Sequence, residues 1–442
     1  MTSRVRRRLR SPDFYTSAGR FIGSRCRRRR RPRPGRALAR ACTATTAAVG
    51  ALACGQASPQ TAAIVERDSA GVRIVEVPNP TTAAVPEWRV SPEPSIEIGV
   101  VDGPEAYQLH DVSSVVRLSD GRIVVADAGS SEIRYFDPSG THLMTTGGRG
   151  EGPGEFEVLS TLARTPGDTI MGYDSRLRRL SVFDSSGEFV RTIPMPVLDG
   201  QQSANAGMLS DRRLLLVLGS LRQVTAPPAA GAQILPDSVI YLAWNPAGES
   251  TDTLGTFLRS YTILAIQGSG GEITSITVMR PAFLQYGFAG TVGDRAYVAT
   301  GEYEVILFGP GSAMELRIRP DVAREQMSEE YLNRFWQAQS GDESPDAAQS
   351  VNPYMGLPLP DHLPPIGEVQ SDAEGHLWVE RFRRPGDEQP IWDVFSPDGH
   401  LMATAHTPPD FKVHEIGPDY LLGVATDEFG VERVRMHAVT RE

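Results

Sequence analysis

The side chains that could do chemistry are scattered along this chain rather than gathered in one motif. Its eight histidines, at positions 110, 142, 362, 376, 400, 406, 414 and 437, include no His-x-x-x-His pair in one element. A three-histidine zinc site therefore has no spacing to rest on. No Gly-x-Ser-x-Gly elbow is present to expose a serine nucleophile. The three cysteines are Cys26, Cys42 and Cys54, so residues 55–442 have neither disulfide nor thiol chemistry. Residues 148–155, Gly-Arg-Gly-Glu-Gly-Pro-Gly-Glu, have the glycine density of a phosphate loop. The context is wrong, because a strand follows where a dinucleotide fingerprint needs a helix, and Pro153 with two acids opposes an anion. These glycines are expected to supply positive φ where the chain crosses between structural units.

Two sets of candidates remain. Arg and Tyr dominate binding hot spots, which singles out Arg149, Glu151, Arg176 and Arg178, and further along Tyr303, Arg383 and Arg384, as a ligand-binding set on exposed loops. The second set is Glu157, Asn205, Glu368 and His414. These come from four different repeats and could converge as oxygen and imidazole ligands on calcium or zinc, although no spacing motif joins them.

What must position these residues is a repeat. Ile-Val-Val-Ala-Asp127 and the later Tyr-Phe-Asp137-Pro-Ser-Gly140 return as Ile-Met-Gly-Tyr-Asp174 and Val-Phe-Asp184-Ser-Ser-Gly187. A period of 40 to 50 residues with about four short strands per unit marks a β-propeller blade, which must stack on neighbours because it cannot bury its own faces. The pattern predicts an all-β, six-bladed propeller over residues 94–442. Its sixth blade has only three strands of its own. The isolated strand at 96–99, which precedes a Gly-Pro turn as 144–147 does, is expected to complete it and close the ring. Asp127 and Asp174 are expected to cap the loops that follow them. Residues 64–77 read as an extra hairpin of unknown placement within a 54–93 linker.

Two long inserts, 259–280 and 320–365, fall on the same face as the 148–155 loop, and long loops of this kind carry function. The second holds a short helix over 328–339, with Ser328 as N-cap and Tyr331 and Phe335 on one side. Residues 340–350 are polar and expected to be mobile.

The motifs Leu118-Ser-Asp-Gly-Arg-Ile-Val-Val-Ala-Asp127, Gly148-Arg-Gly-Glu-Gly-Pro-Gly-Glu-Phe156 and Asp427-Glu-Phe-Gly-Val-Glu432 resemble those of NHL-like six-bladed β-propeller proteins of bacterial cell envelopes. That resemblance implies a fold and a location, and it is nearly silent on chemistry, since one propeller fold hosts lyases, lactonases, receptors and scaffolds.

The head of the chain supports export. Residues 1–40 carry 15 Arg against one acid, Asp13. Residues 41–53 are uncharged and end in Ala-Leu-Ala before Cys54, which resembles a bacterial lipobox. Residues 1–53 thus read as a basic head and export signal, with Cys54 a lipidation candidate and a start codon misplaced upstream as one source of the first 25 or so residues. The remaining residues hold 29 basic against 53 acidic side chains, and an acidic body of that size argues against nucleic acid and anionic membranes as partners.

The expectation is an exported monomer in the periplasm or cell envelope, bound to membrane only through a lipid, and working as a non-enzymatic binding or scaffold module. Its loop face would bind a protein, peptide or glycan, with no cofactor. The alternative is a metal-dependent lactonase or esterase resembling gluconolactonase-type propellers, with calcium or zinc in the central channel.

Overall fold

Short apolar runs bounded by Gly-containing turns become antiparallel strands, and the turns explain the repeat. Asp137 Oδ1 accepts the amides of Ser139 at 2.8 Å and Thr141 at 2.9 Å. Asp184 Oδ1 accepts those of Ser186 at 2.9 Å and Glu188 at 3.1 Å. The glycines closing these turns, Gly140 and Gly187, have φ of +87° and +86°, a region that favours glycine. The computed structural model describes residues 64–219, 231–247, 250–269, 272–279, 287–340 and 361–441. The basic head, Cys54 and residues 341–350 lie outside them.

The regular structure described is nearly all strand. Val112–Arg117, Ile123–Asp127, Glu132–Phe136 and His142–Gly147 make a first four-stranded sheet. Leu159–Thr165, Thr169–Asp174, Arg179–Phe183 and Phe189–Pro194 make a second. The third is built on Gln201–Met208, Leu214–Gly219, Gly231–Asn245 and Ser250–Ser269. The fourth holds Phe288–Val292, Arg295–Thr300, Glu304–Phe308 and Met314–Pro320. Ile366–Ser371, Leu377–Arg381, Ile391–Phe395 and Leu401–His406 form a fifth group; Phe411–Ile416, Tyr420–Thr426 and Glu432–Thr440 form a sixth. Ile96–Ile98 pairs antiparallel with Val434, Arg435 and Met436 of the sixth group.

Two placements were not foreseen. The hairpin Val65–Ser69/Val72–Val77 extends the fourth sheet, its second strand running parallel to Met314–Pro320. The strand Glu87–Val90 pairs in parallel with Leu401–His406 and antiparallel with Glu432–Thr440, which fuses the fifth and sixth groups into one nine-stranded sheet.

One expectation is corrected. Most of residues 259–280, read as a loop insert, is strand: Ser250–Ser269 continues through its first half and Glu272–Met279 folds back along it. The β-branched residues of Ile273-Thr-Ser-Ile-Thr-Val278 suit a pleated ladder. The helical insert forms as expected, one residue later. Helix α1 spans Glu329–Ser340 and Ser328 caps it, its Oγ accepting the Tyr331 amide at 3.1 Å.

The core divides into six apolar clusters, each shared by neighbouring sheets. Tyr135 and Val116 meet Phe156 and Phe183 between the first and second. Tyr173 meets Leu214 and Trp244, Leu215 meets Val298 and Phe308, and Tyr297 meets Val379 and Phe395 at the next three joints. Trp378 and Trp392 meet Phe411 and Leu421 between the fifth and sixth. The last cluster sets Leu422, Val434 and Ile98 of the sixth against Val115 and Phe136 of the first. Each large side chain buried this way is worth about 1.5–3 kcal/mol, so the joints carry most of the stabilisation.

Candidate functional site

The first loop group is braced from within. Asp174, fully buried at the end of its strand, accepts the amides of Arg176 and Leu177 on Oδ1, both at 2.8 Å, and that of Glu157 on Oδ2 at 2.7 Å. Arg179 then reaches across to the carbonyls of Glu151 at 2.9 Å, Gly152 at 2.6 Å and Glu155 at 2.9 Å. Arg149, Glu151 and Arg176 stand exposed on these braced loops. Arg178 differs: it is half-buried at φ +54°, and its Nη2 is buried with no hydrogen-bond partner among the described residues. The amides of Gly148, Gly150 and Gly152 are spent on Ser131, Phe156 and Glu155, so the glycine loop offers no phosphate cradle with these donors. Arg179, which organises the group, was not among the sequence candidates; it opens the strand Arg179–Phe183, directly opposite Asp174.

The second group lies between the fourth and fifth sheets. Tyr303 is only 3% exposed, and its hydroxyl donates to Asp393 Oδ2 at 2.8 Å. Burial, with Asp393 adding to it, pushes that phenol well above its usual range. Arg381 grips the same carboxylate, Nη2 to Oδ1 at 2.7 Å. Tyr303, Arg381 and Asp393 form the floor of a pocket of ≈ 80 Å³, with Leu363, Phe382 and Arg384 among its walls. Such a volume holds a few waters and falls far short of the 300–1,000 Å³ or so of ordinary ligand sites. Its charges are matched internally, since Arg384 pairs with Glu325 and Arg324 with Glu302. Arg383 is exposed beside it, its Nη1 donating to the Pro409 carbonyl at 3.0 Å. The structure thus separates the seven loop candidates into two groups, with Tyr303 engaged inside the fold.

The third group is spread over three strands and one loop: Asn205, Glu368 and His414 lie on strands, and Glu157 just before Leu159–Thr165. Glu368 Oε1 accepts from Gln370 Nε2 at 3.0 Å, and the same amide donates to the Val413 carbonyl at 2.7 Å. Burial raises the Glu368 carboxyl above its usual range. Glu380, the cross-strand partner of Glu368, is pushed up to about 7 by burial and then by the neighbouring Glu368 charge. Burial, followed by the Lys412 charge, brings His414 down to about 3, so its imidazole is neutral at physiological pH. His414 Nε2 is buried and has no hydrogen-bond partner among the described residues. Asn205 Oδ1 accepts the Gly207 amide at 3.3 Å, and Glu157 is half-buried beside Asp174.

Among the described residues, one set of three acidic or histidine side chains has its ligand atoms all within 4.8 Å: Asp372, Glu374 and His376. Glu157, Glu368 and His414 are not brought together in that way. The Asp372 set is already filled by a cation of the chain itself, because Arg441 Nη1 lies 3.0 Å from Asp372 Oδ2 and also pairs with Glu374.

No protein-family model matches the chain, and no curated protein does. Similarity is found among solved structures. A Bacteroides fragilis protein described as exported is 13% identical with a TM-score of 0.42, over 84% of this chain and 99% of that one. A DUF4221 family member from Bacteroides vulgatus is 10% identical with a TM-score of 0.46, over 80% of this chain and 99% of that one. A gluconolactonase of Xanthomonas campestris is 12% identical with a TM-score of 0.38, over 81% of this chain and 99% of that one. At such identities and TM-scores, none of them decides the chemistry of this chain.

Proposed function

We propose that the chain is an exported six-bladed β-propeller that binds a protein, peptide or glycan of the cell envelope through one loop face and does no chemistry on it. The six apolar joints, the last of which returns to the first sheet, support the bladed reading, as does the pairing of Ile96–Ile98 with the sixth group. Export rests on the basic head, the uncharged run and Cys54, with Cys54 as the lipid-anchoring residue. Among the described residues no helix is long and apolar enough to cross a membrane.

The observation that carries the binding reading is the brace. Three carbonyl contacts from Arg179 and four amides held by Asp174 fix loops whose outward side chains are Arg149, Glu151 and Arg176. Ordering the arms before the ligand arrives lowers the entropic cost of binding. Arg383 and Arg384 extend the same face in this reading.

The test compares the full chain with an Arg149→Ala/Arg176→Ala double variant and with Arg383→Ala for retention of envelope proteins, peptides and glycans. Arg122→Ala, on a tight turn between strands, is the control. A retained component lost about tenfold or more in the first two variants and kept in the control supports the reading. Retention indifferent to Arg149, Arg176 and Arg383 but abolished by Arg122→Ala would remove it.

A further inference from the structure

Three turns share one clamp, and the third departs from it in a telling way. In the turns at Asp137 and Asp184, Oδ1 holds two amides, and the serine two positions on donates its hydroxyl to the same oxygen at 2.6 Å. Asp427 makes the same clamp, accepting the amides of Phe429 and Val431, both at 3.0 Å, and Gly430 closes the turn at φ +81°. Where the other two turns have serine, this one has Phe429, 84% exposed. The turn forgoes a hydrogen bond and holds an aromatic ring in water, and nothing in its own geometry calls for either.

Phe429 has apolar company. Its turn joins Tyr420–Thr426 to Glu432–Thr440, and the loop that follows Ile96–Ile98 leaves from the same end of the sixth group. Ile98 pairs with Val434, and a Cβ on Gly99 would lie 2.8 Å from the Glu432 carbonyl oxygen. Val100 and Val101 come next on that loop, both exposed, Val101 by 61%. The loop is fixed as well, the Val100 amide donating to the Tyr107 carbonyl at 2.9 Å. Scattered apolar residues on a surface are ordinary, but three on two neighbouring, clamped loops mark a contact surface. Its rim is acidic. Residues 97–112 and 426–433 hold seven acids against one arginine. That arginine, Arg433, is spent on Asp427 at 2.9 Å, while Asp102, Glu105 and Glu428 stand exposed.

We infer, resting on the loop-face reading, that Phe429, Val100 and Val101 are the anchor for a basic, apolar polypeptide segment of the partner. Apolar side chains of that segment pack on the ring and the two valines, and its arginines or lysines meet Asp102, Glu105 and Glu428. The ring adds to the preference for cations, because a guanidinium over an aromatic face is drawn to its negative quadrupole. An aromatic anchor already held in place before contact loses little freedom on binding. A lipid surface suits these loops poorly. Acids around an inserting ring would face the negative charge of an anionic leaflet and lose their own hydration on entry.

The experiment titrates the full chain against a fluorescent peptide alternating Arg and Leu, a matched peptide alternating Glu and Leu, and phosphatidylcholine vesicles. The basic peptide is expected to bind, more weakly as salt is raised. Phe429→Ser, which restores the serine of the sister turns, weakens it about tenfold or more and leaves urea unfolding unchanged. Asp102→Asn with Glu105→Gln weakens it and flattens the salt dependence, and Arg122→Ala changes nothing. Should Phe429→Ser melt early, Val101→Ser repeats the measurement. No binding of the basic peptide to folded protein would overturn the inference, as would equal binding of the acidic one or affinity indifferent to Phe429 and Val101. Vesicles bound in place of the peptide and released by Phe429→Ser would reassign the loops to lipid. Envelope retention lost in Arg149→Ala/Arg176→Ala but untouched by Phe429→Ser would sink this anchor alone and leave loop-face binding standing.

Discussion

The guanidinium of Arg441 lies over the indole of Trp88, its Cζ 4.7 Å from the ring centroid, while its Nη1 reaches Asp372. Asp372 also receives Trp378 Nε1 at 3.2 Å and the amides of Glu374 and His376, both at 2.9 Å. One arginine after the last strand thus ties that strand, the Glu87–Val90 strand and the fifth group together. Trp88→Ala is expected to lower unfolding stability by roughly 3–5 kcal/mol, the range for truncating a buried aromatic. Arg441→Ala should cost about 1.5–3 kcal/mol by removing the guanidinium from Asp372, which keeps its bonds to Trp378, His376 and the two amides. In urea unfolding the double variant should lose about 1 kcal/mol less than the two single losses added. Strict additivity would show that the stacking contributes nothing.

A second tie is sensitive to acid. Glu304 accepts two bonds from Arg317, each 2.7 Å, and one from Arg319 at 2.5 Å. Burial pushes its carboxyl up, but these arginine bonds outweigh burial and hold it below the usual range. A carboxyl held lower in the folded chain than in the unfolded one binds fewer protons when folded. Its stabilisation is therefore complete above the ordinary glutamate range and is lost as pH falls from there through the lowered folded-state value. Glu304→Gln should cost about 2 kcal/mol at pH 7 and converge on wild type only once pH has fallen below the lowered folded-state range of Glu304. Parallel stability profiles for the two proteins would refute this.

Asp174 offers a local readout. Replacing it by Ala strands the amides of Arg176, Leu177 and Glu157, and should cost roughly 2–3 kcal/mol. Hydrogen exchange at those three amides should accelerate more than exchange in the adjoining strands. Asp174→Asn, which keeps one acceptor oxygen, should fall between the two. Uniform acceleration across the sheet would mean that the residue acts through global stability alone.

Two glycines at nearly the same φ separate backbone strain from packing. Gly71, at +84°, has open space where a Cβ would stand. Gly187, at +86°, would set that Cβ 2.7 Å from Met144 Cε. Gly71→Ala should cost about 1 kcal/mol from backbone strain alone. Gly187→Ala should cost clearly more, and Met144→Ala should recover part of the difference. Equal costs at the two sites would show that the methionine gives way freely.

What could be read beforehand was what one repeat needs from its own residues. The acid at Asp137 and Asp184 must hold the same two amides, so the same residue types return at the same spacing. Ser328 announced its helix for a similar local reason. The Glu87–Val90 strand left no such trace, because it is four residues long and its partners lie near the other end of the chain. The candidate site shows the same division. Glu368 and His414 stand out as polar residues on strands, whereas Glu380 is set beside Glu368 only through strand register. Tyr303 looked like a surface residue until its turn, at φ +54°, was seen to send the ring inward to Asp393.

The Glu87–Val90 strand also sets a clock. His437 is hydrogen-bonded to the Ser91 carbonyl across 346 residues of intervening sequence. A ribosome releases the early partner long before the late one exists, and closing a loop of that length is slow as well as entropically costly. Until the final strand is made, Trp88 has no sixth group to pack against and its strand has one unpaired edge. Here the last stitch in the fabric is the one that ties off the first.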